Sequence, residues 1–374
     1  MSNQKIFISA GELSGDMHGG NLIRALLQLN NRLDITAIGG DNIKQAGGSL
    51  LYHIDETSFM GTAEIIKHLP KIYKIWRNTK KHLKFNRPDL IILIDYPGFN
   101  LRLAKYAAKL AIPVVYYISP KIWAWNESRI KKIKKYVDQM LCILPFEEEW
   151  YRERDVQAKF VGNPLIDQYQ PISSPQPVKQ EVKTPKIGLF PGSRAQEIQS
   201  LLPGIIEAMR KIRKYYKNFQ ATVAMAPGYN FSNYRNHTTE SWIHWEEGQN
   251  KRILEKSDAL IMASGTAVLE ATILNTPTIV VYKVSPLTYL IGKMLIKVDY
   301  ISLTNIIAGE EIVPELIQQE ANPDHIANEL IELLESKSRR KRMKKRMAEI
   351  TQKLGKKGVA KRTASIINNN YLQK

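Results

Sequence analysis

The feature that most constrains this chain is a pattern that occurs twice: short, unbroken apolar runs, each ending in a turn-forming residue and leading into a segment of helical spacing. In the first half the runs are Ile6–Ala10, Ile35–Ile38, Leu90–Ile94, Pro113–Ile118 and Gln139–Leu144. Between them, Asn21–Leu29 and Leu101–Leu110 repeat apolar residues three and four apart, which predicts helices. A strand apolar at every position is covered on both faces, and strand–helix alternation predicts a parallel sheet. This gives a Rossmann-like α/β domain over residues 1–164. A stretch rich in proline, serine, glutamine and lysine follows at Gln168–Lys186 and reads as a linker. The pattern then restarts with Lys186–Phe190, Ala221–Met225, Ala259–Met262 and Thr278–Tyr282, with helices at Leu201–Tyr215 and Thr266–Leu274. A second Rossmann-like domain is expected over 165–335, and a basic helical tail over 336–374. Two such domains in series predict a shared interdomain cleft at the C-terminal ends of the strands, where open α/β sheets bind ligands.

Length and charge agree with this division. A chain of 374 residues exceeds one comfortable core. Its 54 Lys+Arg against 36 Asp+Glu give a net charge of +18, which favours polyanionic partners without choosing among them. One cysteine, Cys142, excludes an internal disulfide and suggests a reducing compartment. The N-terminal stretch has no signal-peptide pattern and no run approaches 18 apolar residues, so the expectation is a cytoplasmic protein that meets a membrane only at its surface.

The sequence segments that follow the predicted strands hold the residues able to carry chemistry. After the first strand, Gly11-Glu12-Leu13-Ser14-Gly15-Asp16 opens a helix; glycines allow close approach of a ligand, and the helix start offers free N–H groups. The same residues also suit a tight turn with Ser14 or Asp16 as N-cap. They form neither G-x-G-x-x-G nor a P-loop, which argues against NAD and ATP. Asp95-Tyr96-Pro97-Gly98-Phe99-Asn100 places an acid at a strand end, as a general base or as a turn-forming residue. Ser119-Pro120-Lys121-Ile122-Trp123-Ala124-Trp125 sets two tryptophans beside a lysine, for stacking on sugar or for core packing. In the second half, Pro191-Gly192-Ser193-Arg194 brings a guanidinium to a helix start, suited to a diphosphate leaving group or to an ion pair with Glu197. Ser264-Gly265-Thr266 at a helix start suits a phosphate cradle, with Glu270 one turn on as an acceptor for ribose hydroxyls, or a plain N-cap with a solvent-facing Glu270. No D-x-D and no Cys/His cluster occurs, so neither a catalytic metal nor a cofactor is expected.

Taken in order, GELSGD, DYPGFN, SPKIWAW, PFE at Pro145–Glu147, GNP at Gly162–Pro164, PGSR, ASGTAVLE and DYISLTNIIAG form a series. The chain thereby resembles the lipid A disaccharide synthases, a family of GT-B glycosyltransferases, over about residues 5 to 330. The resemblance implies metal-independent, inverting transfer of 2,3-diacylglucosamine from its UDP conjugate to 2,3-diacylglucosamine 1-phosphate. The products would be the β-1,6-linked disaccharide 1-phosphate and UDP. It implies Asp95 as base, with Arg194 as the second catalytic group, and a donor site of Ser193, Arg194, Ser264, Gly265, Thr266, Glu270 and Asn305. It also implies an acceptor side formed by Gly11, Glu12, Ser14, Gly15, Asp16, Ser119, Trp123 and Trp125. In one place the chain departs from the family pattern: Gly98 stands where many members carry a second acid. The tail would pack back on the first domain or be exchanged in a homodimer.

Lipid substrates demand a membrane surface. Lys67, Lys71, Lys74, Arg77, Lys80, Lys81, Lys84 and Arg87 follow one another without an acid. Among them Ile66, Leu69, Ile72, Tyr73 and Trp76 recur at helical spacing, the signature of a helix lying on an anionic membrane or of an ordinary surface helix. A second candidate is Val284–Val298, apolar with interleaved lysines, which would otherwise hold acyl chains or pack between domains. Nucleic acid is not expected as a partner, since no RRM, KH, helix-turn-helix or zinc motif accompanies the charge. Another UDP-sugar enzyme of GT-B type, of the peptidoglycan transferase or epimerase kind, is the nearest rival.

Overall fold

The computed structural model describes residues 3–56, 69–172, 174, 177–179, 181–226, 238 and 240–373. The chain divides into two compact units, Met1–Asp167 with Leu354–Lys374, and Gln168–Lys353.

The first unit runs β1 (Gln4–Ala10), α1 (Leu13–Leu29), β2 (Leu33–Gly39), α2 (Asp41–Gln45), β3 (Ser49–His53), α3 (Leu69–Asn86), β4 (Leu90–Ile94), α4 (Pro97–Lys109), β5 (Val114–Tyr117), α5 (Ile130–Tyr136), β6 (Gln139–Cys142), α6 (Glu147–Arg152), β7 (Ala158–Phe160) and α7 (Leu165–Gln168). Its sheet has the order β3-β2-β1-β4-β5-β6-β7, with all neighbours parallel. Side chains alternate between faces along each strand. Ile6, Ile8, Ile92 and Ile94 therefore join Leu22, Ile23 and Leu26 of α1, while Phe7, Ile91 and Leu93 join Leu101, Leu103 and Ala107 of α4. Helices on both faces explain why β4 is apolar and buried at all five positions.

The second unit repeats the plan with β8 (Lys186–Phe190), α8 (Ala195–Tyr215), β9 (Gln220–Met225), β10 (Ile243–Glu247), α9 (Asn250–Lys256), β11 (Ala259–Ala263), α10 (Thr266–Ile273), β12 (Thr278–Tyr282), α11 (Pro286–Leu295), α12 (Leu303–Ala308), β13 (Glu315–Ile317), α13 (Pro323–Glu335) and α14 (Lys337–Lys353). Its strand order is β10-β9-β8-β11-β12-β13, again parallel. The order reverses between β1 and β4 in one sheet and between β8 and β11 in the other. Adjacent loops splay apart at such a reversal and leave a ligand-sized crevice.

The region after residue 335 is not a single tail. Helix α14 stays with the second unit, burying Met343, Met347 and Ile350. Arg340, 3% exposed, donates from Nη1 to Leu333 O at 3.0 Å and to Leu334 O, and from Nη2 to Lys179 O at 3.0 Å. A basic residue is thus spent on satisfying the carbonyl end of α13 and on anchoring the stretch read as a linker. Only the last segment returns to the first unit. There α15 (Val359–Ile367) puts Val359, Ala364 and Ile367 into the core beside α1. Asp167 caps it, accepting from Gly358 N at 2.6 Å and Val359 N at 2.9 Å.

Candidate active site

In the first unit the crevice is bounded by the loops after β1 and β4, whose ends are paired through Ala10 and Ile94. Asp95 and Tyr96 both have left-handed backbones, with φ of 45° and 50°. Two consecutive non-glycine residues in this region cost on the order of 1–3 kcal/mol each, so the surroundings must hold them there. The Asp95 carbonyl accepts from Tyr116 Oη at 2.5 Å and from Asn100 Nδ2 at 2.7 Å. Asn100 is fully buried and is itself oriented by Ser9 Oγ, which donates to its Oδ1 at 2.7 Å. The sequence D-Y-P-G-F-N is therefore one device: its last residue fixes the backbone of its first.

The electrostatics of Asp95 suit a base. Burial, reinforced by the charge of Glu12 and opposed by Lys121 and the Tyr96 N–H, lifts its pKa from 3.8 to about 6. The Tyr96 ring lies over Gly11 so closely that a Cβ at Gly11 would enter it, which is why the first loop begins with glycine. Glu12 and Ser14 are exposed, while Gly15 is buried against Ala10. At Gly98 a Cβ would meet nothing within 4 Å, so space does not account for the missing acid. His18, on α1, is kept neutral by burial, its pKa falling to about 4.

Several residues expected to face the acceptor turn inward instead. Asp16 is fully buried and accepts from Gly40 N at 2.6 Å, Asn42 N at 3.0 Å, Asn42 Nδ2 at 2.8 Å and Ile43 N at 3.1 Å. It caps α2, and its oxygens are saturated. Ser119 Oγ and Trp123 Nε1 both donate to Glu147 Oε1, at 2.5 and 3.0 Å. Glu147 is 1% exposed, and its other oxygen accepts from Leu144 N at 3.0 Å and Ile143 N at 3.3 Å. Burial pushes this carboxyl upward and the four donors pull it back. Ser119 and Trp123 therefore shape the loop after β5 and do not offer their polar atoms to a ligand. Trp125, 47% exposed beneath the Arg129 guanidinium, keeps a face open.

In the second unit the loops after β8 and β11 bound the equivalent crevice. Gly192, at φ +114°, lets the chain turn onto α8, and a Cβ there would strike the Glu197 carboxylate. Glu197 Oε2 accepts from Ser193 N at 3.1 Å and Arg194 N at 3.4 Å, closing a capping box. The Arg194 guanidinium sits 3.6 Å from Glu197 and is 68% exposed, a pairing that solvent keeps weak and an arriving anion can displace. Across the crevice, Gly265 and Thr266 are exposed at the start of α10, and a Cβ on Gly265 would meet nothing within 4 Å. Ser264 Oγ donates to Ile301 O at 2.9 Å. Glu270 accepts from Tyr169 Oη at 2.7 Å, and burial raises its pKa.

Asn305 also departs from expectation. It is fully buried; its Oδ1 accepts from Ile312 N at 2.8 Å and Val313 N at 3.0 Å, and its Nδ2 donates to Val313 O and Glu315 Oε1, both at 2.8 Å. Glu315 in turn accepts from Ile301 N at 2.8 Å and Ser302 N at 2.9 Å. Asn305 thus acts on Ser264 through the Ile301 loop and is a positioning residue. Asn305→Ala would strand two buried N–H donors and is expected to cost about 2–4 kcal/mol of unfolding free energy. Urea denaturation checks this, and an unchanged midpoint would contradict the positioning role. Three carboxylates fix these loops: the sequence named Glu197 only as an ion-pair partner of Arg194, held Glu147 only within P-F-E, and carried no signal for Glu315.

Of the helix read as membrane-facing, Ile66 and the Leu69 side chain lie outside the described residues. Ile72 is half-buried and Tyr73 is 66% exposed, but Trp76 packs inward, edge-on to Phe99 and Tyr106 at 5.7 and 6.3 Å between ring centroids. Among the described residues no helix is long and apolar enough to cross a membrane.

Two doubly wound α/β units with motif loops at both sheet reversals define the fold class, the GT-B architecture. Solved structures share the fold across the whole chain. A UDP-N-acetylglucosamine 2-epimerase from Listeria monocytogenes gives a TM-score of 0.69 at 14% identity, covering 100% of this chain and 98% of its own. The Neisseria meningitidis UDP-GlcNAc 2-epimerase, solved bound to UDP-GlcNAc, gives 0.67 at 12%, covering 98% and 100%. The calicheamicin glycosyltransferase gives 0.60 at 17%, covering 100% of both chains. Sequence narrows the class further. Residues 6–368 match the family model described as lipid-A-disaccharide synthetase. The lipid-A-disaccharide synthase of Syntrophus aciditrophicus is 40% identical over 382 residues, covering 97% of each chain. That of Geobacter metallireducens is 38% identical over 371, covering 98% of this chain and 97% of its own. The chain belongs to the lipid-A-disaccharide synthase family.

Proposed function

We propose that the first unit supplies the base and the second the leaving-group site for transfer of 2,3-diacylglucosamine from UDP-2,3-diacylglucosamine to 2,3-diacylglucosamine 1-phosphate. The observation that carries this reading is Asp95, a carboxylate with its pKa lifted to about 6 on a doubly hydrogen-bonded, left-handed turn. Asp95 takes the proton of the acceptor 6-hydroxyl as that oxygen attacks the anomeric carbon and the bond to UDP breaks. Attack comes from the face opposite UDP, so the configuration inverts and a β-1,6 linkage forms. Arg194 and the free N–H groups at Gly265 and Thr266 take up the charge developing on the diphosphate, where preorganised donors are most effective. Glu270 accepts from ribose hydroxyls. Ser193 belongs to the same donor loop, and the exposed Glu12, Ser14 and Trp125 contact the acceptor. A fold relative bound to UDP-GlcNAc supports a uridine diphosphate donor. The test is the coupling constant of the new anomeric proton in the product: a large value, for a β linkage, is expected, and a small one would contradict attack assisted by Asp95.

The site works at the cytoplasmic membrane, on its inner face. Support comes from α3, where Tyr73 and Phe85, 66% and 71% exposed, stand among exposed Lys71, Lys74, Arg77, Lys81 and Lys84. Each cation near an anionic leaflet contributes about 1 kcal/mol, enough together for reversible docking. Flotation with phosphatidylglycerol vesicles, uncompeted by RNA, is the expected result; equal capture by RNA would favour a nucleic-acid partner.

A further inference from the structure

We propose that α11 is a second lipid-contacting element, one that docks the second unit on an anionic bilayer surface. This rests on the reading that both substrates are lipids met at a membrane. Between Glu270 and Asp299 the chain has no acid, yet it has Lys283, Lys293 and Lys297. The helix itself, PLTYLIGKML, is dominated by apolar residues.

Its root is firmly held. Val284 N donates to Gln318 Oε1 at 2.7 Å, and Gln318 Nε2 returns a bond to Val284 O at 3.0 Å. Ser285 Oγ caps the helix, accepting from Thr288 N at 3.2 Å. Ser200 Oγ, on the helix that begins just after Arg194, donates to Lys283 O at 3.2 Å. Beyond this root the described apolar side chains of the helix are exposed. Leu290, Leu295 and Ile296 are 59%, 57% and 45% exposed, and Tyr289 joins them. Single exposed hydrophobes are ordinary on a soluble surface, but four on one short element mark an interaction site.

Charge decides the occupant. Exposed Lys283 and Lys293, in a stretch whose sequence holds no acid over 271–298, disfavour an equally basic second copy on this face and fit anionic headgroups. Lysine stems lie along the apolar layer while their ammonium groups reach the headgroups, and the leucines enter the acyl boundary. Because Ser200 ties α11 to the Arg194 helix, lipid contact here brings the bilayer next to the groups assigned to the donor diphosphate.

The test is flotation of the full chain with phosphatidylcholine vesicles containing phosphatidylglycerol, alongside UDP affinity and thermal unfolding. The double variant Leu290→Ser, Leu295→Ser is expected to lose about tenfold or more in vesicle affinity. Lys293→Gln is expected to lose about fivefold, on anionic vesicles only. UDP affinity and the unfolding midpoint should not change. If Tyr73→Ser, Phe85→Ser on α3 weakens flotation while both α11 variants float like the parent, the α11 proposal is overturned and the membrane reading stands. If the parent chain does not float, both fall. Intact flotation with a raised KM for donor would assign α11 to acyl-chain binding, and intact flotation with loss of a dimer would assign it to self-association; either overturns the proposal.

Discussion

Asp95→Asn is expected to lower kcat by about 10²–10⁴-fold while making the protein more stable at neutral pH. The rate loss is the usual contribution of a positioned general base. The gain in stability has a separate origin. The folded-state pKa is raised from 3.8 to about 6, chiefly by burial. The favourable contribution of protonated Asp95 is therefore complete at pH below about 4 and is lost as pH rises through about 6. Above that, the folded chain carries a disfavoured charge, which asparagine removes at the same size. A shift of about two pH units corresponds to roughly 2–3 kcal/mol, so the variant should gain up to that amount at pH 7.5 and little at pH 4. In the parent enzyme, kcat/KM should rise with pH to a plateau, with a midpoint near 6. Denaturant titration at the two pH values, together with a pH–rate profile, tests both halves. Near-normal turnover in the variant would remove Asp95 from the chemistry.

Arg194→Ala is expected to lower kcat/KM by about 10²–10³-fold, the range seen when one preorganised donor to a developing charge is removed. The side chain is 68% exposed and only loosely paired with Glu197, so stability should change by less than about 0.5 kcal/mol. Arg194→Lys should recover part of the loss, since charge survives but the planar fork does not. Steady-state kinetics with each variant decide the matter. A loss confined to the KM for acceptor would instead place Arg194 on the acceptor side.

Much of this fold was legible because parallel strands buried on both faces are apolar at every position, as Leu90–Ile94 and Ala259–Ala263 are. The strands that escaped notice, Ser49–His53, Ala158–Phe160, Ile243–Glu247 and Glu315–Ile317, are short and mostly half-exposed, so they lack that signature. The site loops were legible as glycines and polar residues at strand ends. Which of their side chains point outward was not. Asp16 finds its donors at Gly40 to Ile43, Ser119 and Trp123 find their acceptor at Glu147, and Asn305 closes on Ile312 to Glu315. Short polar side chains cap and bridge as readily as they bind ligands, and only the tertiary partner distinguishes the two uses.

The central claim is a transfer that joins two diacylated glucosamines and releases UDP. Purified chain incubated with UDP-2,3-diacylglucosamine and 2,3-diacylglucosamine 1-phosphate, then analysed by mass spectrometry, addresses it most directly. The predicted result is a tetraacyl disaccharide monophosphate with one equivalent of UDP, falling to trace amounts with Asp95→Asn. UDP released without disaccharide, or no consumption of either lipid by folded enzyme, would contradict it.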